Sequence, residues 1–199
     1  MANGRVATGY SLPIVALYGN NGGNVTYSGA MPLARGVSVS IEPEYTEGDP
    51  FYADNTIAED VAGQLTGGTV TATVDGLLTA ATRLIYGIPV DQTQSDWLNF
   101  DDTVVIPYVG FGYVVRYMSA GVTSYVPYVF TKCRANYAGQ EVNTAEEEIE
   151  WQTQEIEFSI YRDDTTNHVW KKEGKEYTTE ADAQAAIMGF FGNVVNPNQ

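Results

Sequence analysis

The chain has 199 residues, 44% of them hydrophobic, a length that favours one domain and a content that supplies a core and excludes wholesale disorder. Its 25 acids against 10 bases leave a net charge of −15, which repels phosphate and argues against a conventional nucleic-acid-binding role, although acidity also serves plain solubility. The single cysteine excludes an intrachain disulfide, and with one histidine it leaves no ligand set for a structural zinc site within the chain.

The first residues show no charged stretch followed by a long apolar run. Neither a signal peptide nor a membrane-spanning segment is expected, and synthesis and use in a cytoplasm, or release by lysis, is. LPIVALYG, 12–19, predicts a first strand, NNGGN a turn, and VTYSG a second strand. RGVSVSIEPEY, 35–45, alternates with period two. Val37, Val39 and Ile41 face one way with Tyr45 in phase, and Ser38, Ser40, Glu42 and Glu44 face the other. Then comes EYTEGDPFYADNTIAED, 44–60, with six acids, no base, and aromatics interleaved with turn formers; it predicts a long extended loop over about 44–66. GGTVTATVDG, 67–76, alternates again, with Val70, Ala72 and Val74 inward. DGLLTAATRLIYG, 75–87, changes to helical spacing through Leu77, Leu78, Ala81, Leu84 and Ile85. Asp75 is the candidate cap and Gly87 the stop.

A polar loop at 90–103 leads to VVIPYVGFGYVVRY and VTSYVPYVFTKC, a long hairpin around a four-residue MSAG turn. Both arms are apolar or aromatic on both faces, which suits a central strand pair covered on each side or one face covered by a neighbouring chain, a second copy being the simplest source of cover. EEEIEWQTQEIEFSIYRD, 146–163, predicts a last long strand whose phase slips. Ile149 and Trp151 lie in one phase, Ile156, Phe158 and Ile160 in the other, so a bulge is expected near 152–155. HVWKKEGKEY reads as a polar hairpin-like piece in which Lys171, Lys172 and Lys175 are offset by Glu173 and Glu176. TTEADAQAAIMGFF, 178–191, predicts a helix begun by Thr179 and Asp182, with an apolar face of Ala183, Ala186, Ile187 and Phe190 or Phe191. This order predicts a mainly β fold: an antiparallel β-sandwich or barrel with a flanking α-helix and a C-terminal helix. It forms one domain over 1–199, with a hairpin and helix extension at about 165–199.

Chemistry is hard to find. His168 has no local catalytic signature, Cys133 reads as a small buried side chain, and no pair of carboxylates stands out for glycoside hydrolysis. Neither 44–60 nor NFDDT at 99–103 has calcium-loop spacing, and the Gly-x-Gly of GFGYVV does not open a helix. No enzyme, metal or cofactor is expected. A carbohydrate-binding β-sandwich module on a virion or cell surface stays open as an alternative, since three Trp and fourteen Tyr could furnish a stacking platform; Trp151, in phase with Ile149, is expected in a core or interface.

Several stretches, in order, resemble one family. MANGRV at the start, GVSVSIEPE followed by PFYADN, TVTATVDGLLTAATRLIYG, the hairpin PYVGFGYVVRY…YVPYVFTKC and the strand EIEWQTQEIEFSIYRD are similar to the major tail proteins of bacteriophages with long, non-contractile tails. The resemblance implies the phage tail tube fold, similar to the type VI secretion tube protein, in hexameric rings stacked into a tube that conducts DNA into the host. It implies a structural protein of the virion tail, assembled in the host cytoplasm. Its partners would be copies of itself and the tape measure, tail tip and tail terminator proteins, with transient, non-specific passage of DNA and no membrane insertion. Under this resemblance 44–60 occupies the place of an inter-subunit loop. Tyr45, Glu47, Asp49, Phe51, Tyr52 and Asp54 are its contact candidates, the acids staying solvated or meeting bases such as Arg35, Arg83 or Arg116. A negative bore would let DNA slide, and Glu148, Glu150, Glu155 and Glu157 are the lumen-facing candidates, with the phase slip leaving open which half of that strand faces inward.

Overall fold

Turn chemistry starts the sheet. In this computed structural model, which describes residues 4–54, 56–61, 63–90, 97–139, 142–144 and 151–192 (backbone only at 49–53 and 56–61), Gly22 and Gly23 join β1 (Val6–Asn21) to β2 (Asn24–Pro32). β1 begins six residues earlier than the apolar run predicts. Its first part is held by backbone pairing with a later strand, not by alternation, and a bulge at Leu12 and Pro13 separates the two parts. β3 (Gly36–Tyr45) and β6 (Leu65–Val74) pair antiparallel. Val70, Ala72 and Val74 are buried as their alternation predicts, but a register shift between Gly36 and Ser38 turns Val37 outward, leaving Val39 and Ile41 against the core.

The helix after β6, α1 (Thr79–Tyr86), buries Ala81 and Ile85 and ends at Gly87 in the left-handed region. Asp75 does not cap it. Its carboxylate instead accepts from the backbone N and the Nε of Arg35, and the capping position, Leu78, has no side-chain acceptor to offer. The long hairpin forms as β7 (Val109–Ser119) and β8 (Val122–Ala135), but around two residues, Ala120 and Gly121, both at positive φ. β9 (Gln154–Tyr161) starts after Trp151, and 146–150 of the expected strand lie outside the described residues. Ile156, Phe158 and Ile160 carry it into the core, while Trp151 lies before it and is 88% exposed, so one phase suffices and no bulge is needed. The segment read as a polar hairpin is a three-residue strand, β10 (Lys171–Glu173), added to β8. The last helix, α2 (Glu180–Phe190), starts where predicted: Thr179 Oγ1 accepts from Asp182 N.

Eight strands form one antiparallel sheet in the order β2-β1-β7-β8-β9-β6-β3, with β10 paired to β8. The sheet curls into a sandwich-like form that brings β3 back beside β1, where Gly36 lies against the Tyr10 ring. Between its two halves lies the main core, built on Phe111, Tyr113, Phe130, Phe158 and the α1 side chains. A second cluster lies outside the sheet, where Ala183 and Ile187 of α2 and Phe191 at its C-terminal cap cover Ile14, Ala16, Val114 and Val129. The second apolar face of the β7–β8 hairpin is therefore covered by the chain's own helix rather than by another copy.

Candidate functional site

Two features rise above a packed sandwich: an arm and a polar sheet face. The arm is the acidic stretch. In place of an extended loop, β4 (Asp49–Ala53) and β5 (Thr56–Val61) pair as a separate two-stranded sheet, because the turn formers at its middle close a hairpin, with Asp54 at φ 51°. At its base Thr46 and Gln64 are tied by backbone and side-chain hydrogen bonds (2.8 Å each), which seat the hairpin on the ends of β3 and β6. Eight residues from Thr46 to the tip give a reach of about 25 Å. Tyr45 ends β3 and is 55% exposed, Glu47 and Asp54 are exposed, and Asp49, Phe51 and Tyr52 lie along the β4 backbone.

The polar face follows from alternation. Glu155 and Glu157 are exposed between the buried side chains of β9. Register places Ser38, Thr73 and Glu155 in one cross-strand row, Ser40, Thr71 and Glu157 in the next, and Glu42, Thr69, Ser159 and Arg134 in a third. One side of the β3–β6–β9 layer is thus a surface of hydroxyls and carboxylates with Arg134 at its β8 border, and Asn136 Nδ2 donates to Glu157. Glu148 and Glu150 lie outside the described residues.

The bases expected to meet the arm have partners of their own. Arg35 is paired with Asp75, Arg83 donates to the carbonyls of Pro89 and Trp97 (2.9 Å each), and Arg116 Nε donates to Thr8 Oγ1 (3.1 Å). Cys133 is buried, and burial pushes its thiol well above the ordinary range, away from nucleophilic use. His168 is exposed, its Nδ1 3.2 Å from the Asp163 carbonyl. Asp164 is held below the usual carboxylate range by Lys132 (2.8 Å) and by the Tyr18 hydroxyl, an ion pair that fastens β8 to the loop after β9. Burial, the larger cause, and this carboxylate push Tyr18 up to about 12. Among the described residues no three His, Cys, Asp or Glu side chains gather as metal ligands, and no helix is long and apolar enough to cross a membrane.

Sequence reasoning raised a stacking platform but did not name the rings that form one. Tyr137 stacks on the buried Tyr86 (5.0 Å, 22°) with Phe100 at 6.1 Å from both, and its own ring is more than half exposed. Trp97, also exposed, precedes Phe100 in the same loop. Three segments far apart in the chain contribute these rings, so no local pattern announces them. No protein-family model matches this sequence, and no curated protein matches it.

Proposed function

We propose that this protein is a structural, non-enzymatic subunit that assembles with copies of itself into stacked hexameric rings, forming the tail tube of a long-tailed bacteriophage and the conduit for its DNA. The arm carries this reading: a hairpin with about 25 Å of reach that, among the described residues, pairs with no other strand of its own chain. An arm so built suits a contact with a neighbour. The ordered series of sequence motifs and the mainly β sandwich-like fold with its flanking helix accord with it. Other expected partners are the tape measure, tail tip and terminator proteins, and the setting is the virion tail. Negative-stain electron microscopy across a concentration series, with nucleation by a tail-tip complex, tests this reading. Hollow tubes or six-fold rings are expected; a particle that stays monomeric when nucleated defeats it.

In such a tube the face bearing Glu42, Glu155 and Glu157 is the candidate bore. Its carboxylates would repel phosphate within a screening length of about 8 Å, and the cation of its third row, Arg134, has its guanidinium over the Tyr108 ring. Both glutamates are exposed, so Glu155→Lys with Glu157→Lys should leave rings intact and slow genome delivery. Normal infection kinetics in that variant would remove this face from the bore.

A carbohydrate-binding module is the second reading, favoured by the Tyr137 platform and the neighbouring Trp97. It predicts a monomer or small oligomer that is retained on glycan supports and loses retention on Tyr137→Ala.

A further inference from the structure

KKEGKE, 171–176, interleaves bases and acids and reads as a balanced, solvated strip. Its surroundings unbalance it. Arg5, 171 residues before Glu176, donates to that carboxylate at 2.8 Å and also to Glu173, with its guanidinium 4.5 Å over the Tyr117 ring. Both acids of the strip are thereby engaged from outside it. Lys171, Lys172 and Lys175 are left with ring faces: Tyr128 at 5.0 Å, Phe190 at 5.0 Å and Tyr177 at 5.2 Å. None of the three has a carboxylate partner among the described residues. Arg5 and the three lysines set four positive charges against the two of Glu173 and Glu176, a surplus of two on a chain of net charge −15.

We propose that this lysine patch receives the acidic hairpin arm of a second copy of the chain. The inference rests on the self-assembly reading above and adds the surface that accepts the arm. Copies of a strongly acidic chain repel, so association needs attraction focused at a local site. The stretch 44–60 offers six acids without a base, and the patch offers bases without acids to spare. The other candidates, Arg35, Arg83 and Arg116, are already engaged by Asp75, by carbonyls and by Thr8. Each lysine resting on an aromatic ring keeps its ammonium at the surface, where a carboxylate can reach it.

The test is carbodiimide cross-linking of mixed 14N- and 15N-labelled full-length protein, read by mass spectrometry beside electron microscopy of the same samples. The expected result is mixed-isotope links from Lys171, Lys172 or Lys175 to carboxylates of 44–60, weakened by salt. The Lys171→Glu, Lys172→Glu, Lys175→Glu variant should lose association by about tenfold or more. Mixing it with a Glu47→Lys, Asp49→Lys, Asp54→Lys variant should restore association. Assemblies whose links fall elsewhere, or a lysine variant that assembles like the parent, would overturn the inference while leaving the tube standing. Absence of any intermolecular link, with no assembly after nucleation, would bring both down. Lysine-dependent retention on duplex DNA at physiological salt would assign the patch to phosphate instead and overturn the docking of the arm.

Discussion

Phe158→Ala is expected to lower the unfolding free energy by about 3–5 kcal/mol, measured by urea denaturation. Phe158 is fully buried and its ring stacks on Phe111 at 4.9 Å and 20°. Its backbone pairs with Val70 of β6 on one side and with Ala135 of β8 on the other. The position matters as much as the volume. β8 and β9 share only four residue pairs, Lys132–Tyr161 to Ala135–Phe158, and the sheet order makes this the join between the β3–β6–β9 half and the remainder. Truncation would leave a cavity beside that join. Phe158→Leu, which refills most of the space, should recover most of the loss, within about 1.5 kcal/mol of the parent. A loss below about 1 kcal/mol for the alanine variant would mean that the two halves are held together elsewhere.

Gly112→Ala should cost about 1–3 kcal/mol, an unusual outcome for adding one methyl group to a strand. A Cβ at this position would come within 2.7 Å of Ile187 Cγ2 and 3.2 Å of Phe191 Cε2. Gly110, two residues earlier on the same face, meets the Phe191 and Tyr27 rings in the same way. The two glycines make a flat floor on β7, and α2 sits down on it. The Gly-x-Gly of GFGYVV, which fails as a phosphate loop, has this packing role instead. An Ile187→Ala background relieves the closest contact, while Phe191 Cε2 and the Tyr128 carbonyl oxygen stay at 3.2 Å, so the added cost of Gly112→Ala should fall by at least about 0.5 kcal/mol without vanishing. Additive losses in this double-mutant cycle would place the strain in the strand and not against the helix.

Both variants also bear on assembly. α2 covers an apolar sheet face that the sequence alone made available to a neighbour. With that face closed from within, the self-assembly proposed above would rest on the arm, the exposed sheet edges and charge.

Much of the fold was legible where one residue pattern meets one environment. Val70, Ala72 and Val74 alternate because one side of β6 is core, and Thr179 with Asp182 caps α2 through contacts three residues apart. Gly87 stops α1 for an equally local reason. Local rules failed where a distant group competed. Asp75 is taken by Arg35 before it can cap a helix, and a register shift turns Val37 out of the phase that its neighbours keep. Trp151 is exposed because β9 starts after it, at Gln154.

The candidate surfaces divide in the same way. Composition and alternation by themselves determined a mainly β chain, its strongly negative charge, the acidic stretch 44–60 and the outward phase of Glu155 and Glu157, because charge and strand period are carried by each residue regardless of its neighbours. Only the tertiary structure decided that the stretch is a paired arm, that the hydroxyl and carboxylate rows share one face, and that α2 covers the β7–β8 hairpin. It also decided that Arg5 strips Lys171, Lys172 and Lys175 of their neighbouring acids. Apart from the arm, whose own strands pair locally, these are contacts between residues tens to more than 150 positions apart, and chain closure over such distances leaves no trace in local spacing.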